Sequence, residues 1–224
     1  MVPVLQFVDV RKEYRSASGA VQAVDGVSLN VASGEMVALV GRSGCGKSTL
    51  LNLAGAMDFP TSGKVEIDGE STAGLDDAAL TRLRRQKVGF VFQSFQLLPN
   101  LTAVENVELP LLLGGHSGAR AAALERLARV ELDGLGDRYP HQLSGGQMQR
   151  VAIARALVHG PRLLLADEPI GNLDSTTGAT ILTLLRRIVT DEGASILMAT
   201  HSAESTAVAD RVVEMRDGRI IATR

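Results

Sequence analysis

Gly41-Arg-Ser-Gly-Cys-Gly-Lys-Ser-Thr49 is the stretch of this sequence that decides its fold. It follows the apolar run 36–40 and precedes residues 50–56, whose composition predicts a helix. A strand, a glycine-rich loop and a helix in this order predict a phosphate-binding loop, because the glycines let successive N–H groups point at one anion. In such a loop Lys47 reaches the β- and γ-phosphates and the Ser48 hydroxyl binds Mg²⁺. The sequence therefore predicts a protein that binds a nucleoside triphosphate.

The composition is that of a soluble globular protein, with 224 residues, 45% apolar and 21% charged. Only 3% of residues are aromatic and the net charge is −2, so a nucleic-acid-binding surface is not expected. No apolar run reaches the length of a membrane span, and the first residues lack the pattern of a secretory leader. The single cysteine, Cys45, cannot form an internal disulfide, which fits a reducing compartment. We expect a cytoplasmic protein.

The first half of the chain combines predicted strands with one polar helix. Partial alternation and β-branched residues predict strands over 5–14 and 21–31, and clear alternation predicts one over 64–69. A polar helix over 76–85 precedes an apolar strand, 88–93. A basic cluster at the helix end favours a solvated face over a nucleotide or lipid-headgroup site; it comprises Arg82, Arg84, Arg85 and Lys87.

Residues 94–142 are mainly helical in pattern. Thr102-Ala-Val-Glu105 is a capping box that predicts a helix start. Ser117 begins a second segment, in which residues 119–130 place apolar side chains at helical spacing. Because this region lies between a strand and the next motif, we interpret it as an inserted helical subdomain.

The second half contains a further anion-binding pattern and two strands that end in polar residues. Leu143-Ser-Gly-Gly-Gln147 leads into a helix, which alone would indicate an ordinary helix cap or an anion site. A buried strand over 162–168 ends in Asp167 and Glu168, where open parallel sheets bind ligands. Asp167 suits Mg²⁺ and Glu168 could polarise a water, although ion pairing to an arginine is the ordinary alternative.

The remaining elements are simpler. Asp174 caps a predicted amphipathic helix, and an apolar strand over 195–200 ends at His201. A lone histidine is more often structural than catalytic, but this one falls at the same predicted edge of the sheet. The chain closes with a predicted hairpin around Asp217-Gly218.

As an ordered set, these motifs resemble the ATP-binding subunit of ABC transporters over nearly the whole chain. Leu143-Ser-Gly-Gly-Gln147 is the signature that separates this family from other phosphate-loop ATPases. The other matching positions are Tyr14 as the adenine-stacking aromatic, Gln93 as the Q-loop, Leu163 to Asp167 as Walker B, Gly171 to Asp174 as the D-loop and His201 as the switch histidine. Three segments resemble the lipoprotein-releasing and macrolide-exporter branch: Glu105 to Pro110, Ala166 to Pro169 and Glu214 to Arg219.

The resemblance implies an α/β phosphate-loop NTPase fold with a mixed central sheet, an antiparallel β subdomain and an inserted helical subdomain. It implies one ABC ATPase domain over 1–224, with 1–93 and 160–224 as the nucleotide-binding core and about 94–150 as the helical subdomain with the signature. The implied catalytic residues are Glu168, His201 and Gln93, and the implied Mg²⁺ ligands are Ser48, Gln93 and Asp167. The implied ATP-binding residues are Tyr14, Gly41, Arg42, Ser43, Gly44, Cys45, Gly46, Lys47, Ser48, Thr49, Ser144, Gly145, Gly146, Gln147 and Asp174.

The resemblance also implies partners and a mechanism. Two copies would pack head to tail with ATP and Mg²⁺ between them, and residues 93–105 with 139–142 would dock an integral membrane permease subunit on the inner face of the cell membrane. The implied function is the ATP-hydrolysing motor of a transporter for a hydrophobic or amphipathic cargo; the alternative is a cell-division type of transmembrane signalling complex without a transported substrate. Departures from the family pattern, at Cys45, Met148, Ile170 and Ser202, remove no phosphate-contacting group.

Overall fold

The structure is a computed structural model that describes residues 3–16 and 19–224. Residues 1 and 2, which the interpretation of the N-terminus included, lie outside this range. The strands are β1 Leu5–Ser16, β2 Gly19–Val31, β3 Met36–Val40, β4 Ser62–Ile67, β5 Glu70–Ser71, β6 Val88–Phe92, β7 Leu163–Asp167, β8 Ser195–Ala199, β9 Arg211–Arg216 and β10 Arg219–Thr223. The helices are α1 Lys47–Ala54, α2 Asp77–Lys87, α3 Ala103–Leu113, α4 Ala119–Arg129, α5 Gly145–Leu157, α6 Ser175–Glu192 and α7 Ala203–Ala207, with a 3₁₀ turn at Pro140–Gln142.

The strands form two sheets. The larger sheet has the order β10-β9-β3-β8-β7-β6, in which β10 alone is antiparallel to its neighbour. The smaller sheet, β2-β1-β4-β5, is antiparallel throughout. β3, β7 and β8 are nearly continuous runs of buried apolar residues, as expected for parallel strands covered on both faces. The predicted fold, with a mixed central sheet and an antiparallel β sheet, is confirmed.

The parallel strands end in step at one edge of the larger sheet. Phe92 lies opposite Asp167, Asp167 opposite Ala199, and Ala199 opposite Leu39 in the neighbouring strands. The segments that follow these strands therefore begin side by side. This edge carries the phosphate loop, the Asp-Glu pair, His201 and Gln93, and it is where open parallel sheets bind ligands.

Residues 103–157 form the helical part of the chain, as predicted. Helices α3, α4 and α5 share one apolar cluster with α6 and with one face of the larger sheet, including Met36 and Ala38. The other face of the sheet packs with α1 and the antiparallel sheet in a second cluster. Because the core of α3–α5 is continuous with the sheet, the division into two subdomains stays a prediction.

Two helix starts differ from the sequence prediction for the same local reason. α1 begins at Lys47 instead of residue 50, and α5 begins at Gly145, because in both cases the helix starts within the glycine-rich segment itself. α4 begins at Ala119, where the helical spacing predicted it, and follows Gly118 in the left-handed conformation. The short helix α7 was not predicted.

The basic end of α2 is only partly a solvated face. Arg84 donates to the Ala56 carbonyl at 2.8 Å, and Lys87 pairs with Glu70 at 3.0 Å. Arg82 and Arg85 are exposed and line a groove with the end of α3. Within residues 3–16 and 19–224, no helix combines the length and the apolar character needed to cross a bilayer.

Candidate functional site: a nucleotide-binding edge of the sheet

The loop between β3 and α1 has a backbone that only glycine can supply. Gly41, Gly44 and Gly46 have φ values of 152°, 77° and 105°, in the region that side chains rarely adopt. A Cβ at Gly41 would lie 2.3 Å from the Met215 carbonyl oxygen, and one at Gly46 would lie 2.3 Å from the Ala23 carbonyl oxygen. Conformation and space therefore both exclude a side chain at Gly41 and Gly46, and conformation alone disfavours one at Gly44.

The loop borders a cavity of about 760 Å³. The cavity is lined by the residues from Val40 to Cys45, by His201 and by the residues from Glu214 to Asp217. The Lys47 Nζ donates to the carbonyl oxygens of Gly41 at 2.7 Å and Arg42 at 3.2 Å. Cys45 is buried, with its Sγ 3.9 Å from the same Nζ. The loop thus combines a cation, a helix N-terminus and an adjoining cavity, which suits a phosphate group.

Asp167, the last residue of β7, is half-buried beside this loop. Burial raises the pKa of its carboxyl group, and the neighbouring Glu168 acts in the same direction. A hydrogen bond from the Ser48 hydroxyl and the charge of Lys47 oppose this rise in the pKa. The hydroxyl of Ser48 and the carboxylate of Asp167 are therefore adjacent, so two hard oxygen ligands for a divalent cation lie together.

Glu168 and His201 form a hydrogen-bonded pair. The His201 Nδ1 lies 2.8 Å from the Glu168 Oε1, and because a carboxylate only accepts, the Nδ1–H is the donor. Glu168 has a φ of 48°, and its N–H donates to the Ala199 carbonyl at 2.9 Å. This left-handed backbone turns the carboxylate back toward the end of β8. The second ring nitrogen of His201, which is 73% exposed, stays available for another group.

Gln93 lies against the loop that precedes α6. Its Nε2 donates to the Asn172 Oδ1 at 3.2 Å, and the Asn172 Nδ2 donates to the Gln93 carbonyl at 3.0 Å. A Cβ at Gly171 would lie 2.8 Å from the Gln93 Nε2. The reciprocal amide bonds hold Gln93 at the edge of the sheet next to Asp167, beyond the last residue of β6.

The Ser-Gly-Gly turn forms the start of α5. The Ser144 Oγ accepts from the Gln147 N–H at 3.3 Å, and the Gln147 side chain accepts from the Ser144 N–H at 2.9 Å. This capping box satisfies two donors of the helix end. The N–H groups of Gly145 and Gly146 lie in the first turn of α5, where an intrahelical acceptor is lacking.

Asp174 caps the neighbouring helix α6. Its two carboxylate oxygens accept from the N–H and the hydroxyl of Thr177, at 2.9 and 2.6 Å. The hydroxyl bond and then the N–H bond lower the pKa of Asp174. The Thr177 Cγ2 would lie 2.4 Å from a Cβ at Gly146, so the starts of α5 and α6 are in close contact.

Tyr14 stands on β1, with 41% of its surface exposed. Its hydroxyl donates to the Asp58 Oδ2 at 2.7 Å. Burial and then this bond to Asp58 raise the pKa of Tyr14, while a hydrogen bond from Thr49, the last residue of the phosphate loop, acts in the opposite direction. The Tyr14 ring therefore lies near Thr49, at the start of α1.

The phosphate loop and the Ser-Gly-Gly turn are separate within one chain. Among residues 3–16 and 19–224, no hydrogen bond joins residues 41–49 to residues 144–147, and the cavity beside the loop is lined by none of residues 144–147. The turn instead borders a smaller cavity of about 290 Å³ with Glu131 and α6.

The sequence matches the family profile described as ABC transporter over residues 24–171, which is 148 of the 224 residues. The chain belongs to the ABC transporter family. It is 49% identical to an uncharacterized ABC transporter ATP-binding protein of Thermotoga maritima, over 98% of this chain and 94% of that relative. It is 45% identical to the macrolide export ATP-binding/permease protein MacB of Shigella flexneri, over 99% of this chain and 34% of that relative, so it spans about a third of the length of MacB.

Solved structures agree with this membership. A dimeric ATP-binding cassette bound to ADP and Pi in a post-hydrolysis state superposes with a TM-score of 0.90 and 44% identity, covering 98% of this chain and 97% of that one. The cbiO1 protein of Clostridium perfringens, part of an ABC transporter complex, superposes with a TM-score of 0.89 at 29% identity, covering 100% of this chain and 88% of that one. The predicted family, its macrolide-exporter-like branch and the prediction of an ATP-binding ATPase are confirmed.

Three residues that complete the site in this ABC ATPase were not predicted. Asn172 holds Gln93, while Lys12 and Asp58 surround Tyr14. Lys12 could have been found, because residues two apart on a strand share a face. Asn172 lies within the D-loop segment, but no sequence pattern predicts its hydrogen bond to Gln93. Asp58 follows a helix, and no sequence pattern predicts its hydrogen bond to Tyr14.

Proposed function

We propose that this chain is the ATP-hydrolysing motor subunit of a membrane complex and works as a head-to-tail pair. One observation carries the proposal: the chain has two sets of anion-binding N–H groups, at the phosphate loop and at the start of α5, which it does not bring together. In a head-to-tail pair, the turn of residues 144–147 of one copy faces the phosphate loop of the other. ATP bound between them then receives N–H donors from both copies.

The residues present fit a Mg²⁺ ion at the phosphate loop. Ser48 and Asp167 supply adjacent oxygen ligands, with Gln93 next to them at the end of β6. Within the described ranges 3–16 and 19–224, no group of three or more acidic, histidine or cysteine side chains could hold a metal alone. This agrees with Mg²⁺, which is bound by one or two protein oxygens together with phosphates and water. When bound, the ion neutralises phosphate charge as it develops.

Glu168 is the proposed general base. It accepts a proton from the attacking water, whose oxygen forms a bond to the γ-phosphorus while the bond to the bridging oxygen of ADP breaks. His201 holds the Glu168 carboxylate through Nδ1–H, which leaves Nε2 directed away from that bond. To donate to a γ-phosphate oxygen through Nε2 while keeping the bond to Glu168, His201 must be an imidazolium, since both ring nitrogens are then donors.

The remaining predicted residues act by holding the phosphates and the partner copy. Lys47 exchanges its bonds to the loop carbonyls for bonds to the β- and γ-phosphates. The other loop residues, Gly41 to Gly46 and Thr49, contribute N–H groups and shape. Asp174 holds the turn before α6, since both of its carboxylate oxygens already accept from Thr177.

The membrane partner is proposed to dock on residues 93–105 and 139–142. This surface has exposed apolar side chains at Leu98 and Tyr139, which are 44% and 40% exposed. This surface includes Gln93, so it adjoins the edge of the sheet that is proposed to bind the nucleotide. The 45% identity to MacB supports export or extraction of a hydrophobic or amphipathic cargo; mechanical signalling without a cargo is the alternative. The proposed location is the inner face of the cell membrane, with no nucleic-acid partner.

A Glu168→Gln substitution tests the catalytic proposal. The amide cannot accept the proton of the attacking water but preserves size, so we expect hydrolysis to fall by at least about 100-fold while ATP still binds. ATP-dependent dimers should then accumulate, measured by size-exclusion chromatography with Mg-ATP. Wild-type turnover by this variant would remove Glu168 from the mechanism. The same variant, isolated with Mg-ATP from detergent-solubilised membranes, identifies the partner and separates transport from signalling.

A Ser144→Arg substitution tests the facing geometry. The large cation breaks the capping box and occupies the space in front of α5, so dimerisation should be lost. Monomer affinity for ATP should stay within about two-fold, because the phosphate loop is not touched. A nucleotide-bound variant that dimerised with wild-type affinity would contradict the head-to-tail arrangement.

A further inference from the structure

The ring of Tyr14 is held from two sides by residues outside every motif of the family. The phenol hydroxyl donates to one carboxylate oxygen of Asp58, at 2.7 Å. The other oxygen accepts from the Lys12 Nζ at 2.6 Å, and this Nζ lies 4.8 Å from the centre of the Tyr14 ring. The Lys12 side chain is only 13% exposed and also donates to the Phe59 carbonyl at 2.8 Å. Three side chains thus form one closed unit, here called the ring clamp: Lys12, Tyr14 and Asp58.

The ring clamp joins the two halves of the nucleotide site. Lys12 and Tyr14 belong to β1 in the antiparallel sheet, whereas Asp58 follows α1, the helix whose first residue is Lys47. The connection is reinforced nearby, because the Glu13 N–H donates to the Thr61 hydroxyl at 2.9 Å. Through Asp58, the ring on one sheet is therefore fixed relative to the phosphate-binding helix on the other.

The ring clamp also leaves one ring face for a ligand. A cation over an aromatic face is attracted by the ring electrons and covers that face. The Lys12 Nζ takes this position and is anchored by Asp58 and the Phe59 carbonyl, so the base of a nucleotide can stack only on the opposite face. The amine is held in place before any base arrives, which reduces the ordering needed on binding.

We propose that Lys12 and Asp58 are positioning residues for the nucleotide base: they fix the Tyr14 ring at a set distance from the phosphate loop and direct the base to one face. This inference rests on the stacking of the adenine base on Tyr14, which the family resemblance implies and which we include in the proposed function. Asp58 sets the position of the ring through its hydroxyl, and Lys12 sets which face is open. Neither residue belongs to the phosphate loop or lines the cavity beside it, so we expect their effect to be confined to the base.

The experiment compares ATP with inorganic tripolyphosphate, which occupies the phosphate loop without a base. Binding to the full chain is measured by calorimetry for both ligands. Tyr14→Ala should weaken ATP binding about 10-fold, from the usual strength of base stacking. Asp58→Asn and Lys12→Met should each weaken ATP binding about 3-fold. All three variants should bind tripolyphosphate like the wild type, which also shows that they are folded.

Two further variants separate positioning from a structural role. In the Tyr14→Ala background, Asp58→Asn should cause no further loss of ATP affinity, since the ring it positions is gone. Lys64→Met, which removes the Lys64–Glu66 ion pair on the same antiparallel sheet, is the matched control and should leave both affinities unchanged.

Each outcome decides one point. If Tyr14→Ala weakens ATP binding but Asp58→Asn and Lys12→Met do not, the positioning inference is overturned and the stacking proposal stands. If Tyr14→Ala binds ATP like the wild type, the stacking proposal fails and the inference with it. If Asp58→Asn weakens ATP and tripolyphosphate equally, the residue supports the fold instead of the base, which also overturns the inference.

Discussion

Arg155 is a half-buried cation without an acidic partner among the described residues, and its removal is the first prediction. Its guanidinium donates to the carbonyl oxygens of Gln96 at 2.6 Å and Phe95 at 3.0 Å. Burial lowers the pKa of Arg155. Phe95 and Gln96 have φ values of 60° and 51°, two consecutive left-handed residues that are not glycine. The guanidinium of Arg155 on α5 therefore fastens a strained segment that follows Gln93 and lies within the proposed docking surface.

The expected cost of Arg155→Met follows from these contacts. Two hydrogen bonds from a charged donor contribute about 3–6 kcal/mol together. Part of this is recovered, because methionine has no charge to desolvate and the freed segment can relax from conformations that cost about 1–3 kcal/mol each. We expect a net loss of about 2–3 kcal/mol in the free energy of unfolding. With a slope of about 3 kcal/mol per molar, the urea midpoint should fall by nearly 1 M.

The matched control is Arg129→Met, also an arginine on a helix of the same region. Its bond to Glu125 is an exposed pair one helical turn apart, with side chains 53% and 66% exposed. Such pairs contribute about 0.3–0.5 kcal/mol, so the urea midpoint should hardly move. Equal midpoints for the Arg155 and Arg129 variants would refute the claim that the Arg155 guanidinium fastens the segment.

Two further substitutions test packing and capping. Gly89→Ala in β6 should destabilise the protein by about 1–3 kcal/mol in thermal unfolding, because its Cβ would lie 2.2 Å from the Ala156 carbonyl oxygen. Gly114→Ala should cost clearly less, because its short contact, at 2.8 Å, is with the exposed ring of His116, and the Leu111 carbonyl oxygen is 3.3 Å away. A reversed order of the two variants would contradict the packing argument. Asp174→Ala should cost about 1 kcal/mol in urea unfolding, since the Thr177 N–H and hydroxyl lose their acceptor, and an unchanged midpoint would show that the cap is replaced by water.

The features that could be predicted from sequence obey local rules. The glycines of the phosphate loop have the positive φ values that their spacing implied, and Thr102 and Asp174 cap their helices as predicted. In each case the interacting groups lie within a few residues of each other in the sequence, so a local sequence pattern includes both the donor and the acceptor. The hairpin around Asp217-Gly218 belongs to the same class.

The features that could not be predicted join residues that are distant in sequence. Asp58 is 44 residues from Tyr14, and Arg155 is 60 residues from Phe95. The sequence around Asp58 and Arg155 contains no pattern that predicts their partners, because a single polar side chain produces no hydrophobic periodicity. The left-handed conformation of Glu168 is also without a local cause, because it depends on the bond from its N–H to the end of β8.

The three charged groups that the proposed reaction needs already have protein partners at the edge of the sheet. Lys47 donates to loop carbonyls, Glu168 accepts from His201, and the Asp167 carboxylate lies beside the Ser48 hydroxyl. ATP binding therefore exchanges hydrogen bonds instead of adding them, so the net gain per bond is modest. In the proposed head-to-tail pair the second copy would change this balance, because the N–H groups of its Gly145 and Gly146 have no intrahelical acceptor to give up. On this argument the proposed pair would bind ATP more strongly than the single chain does, so association and nucleotide binding would depend on each other.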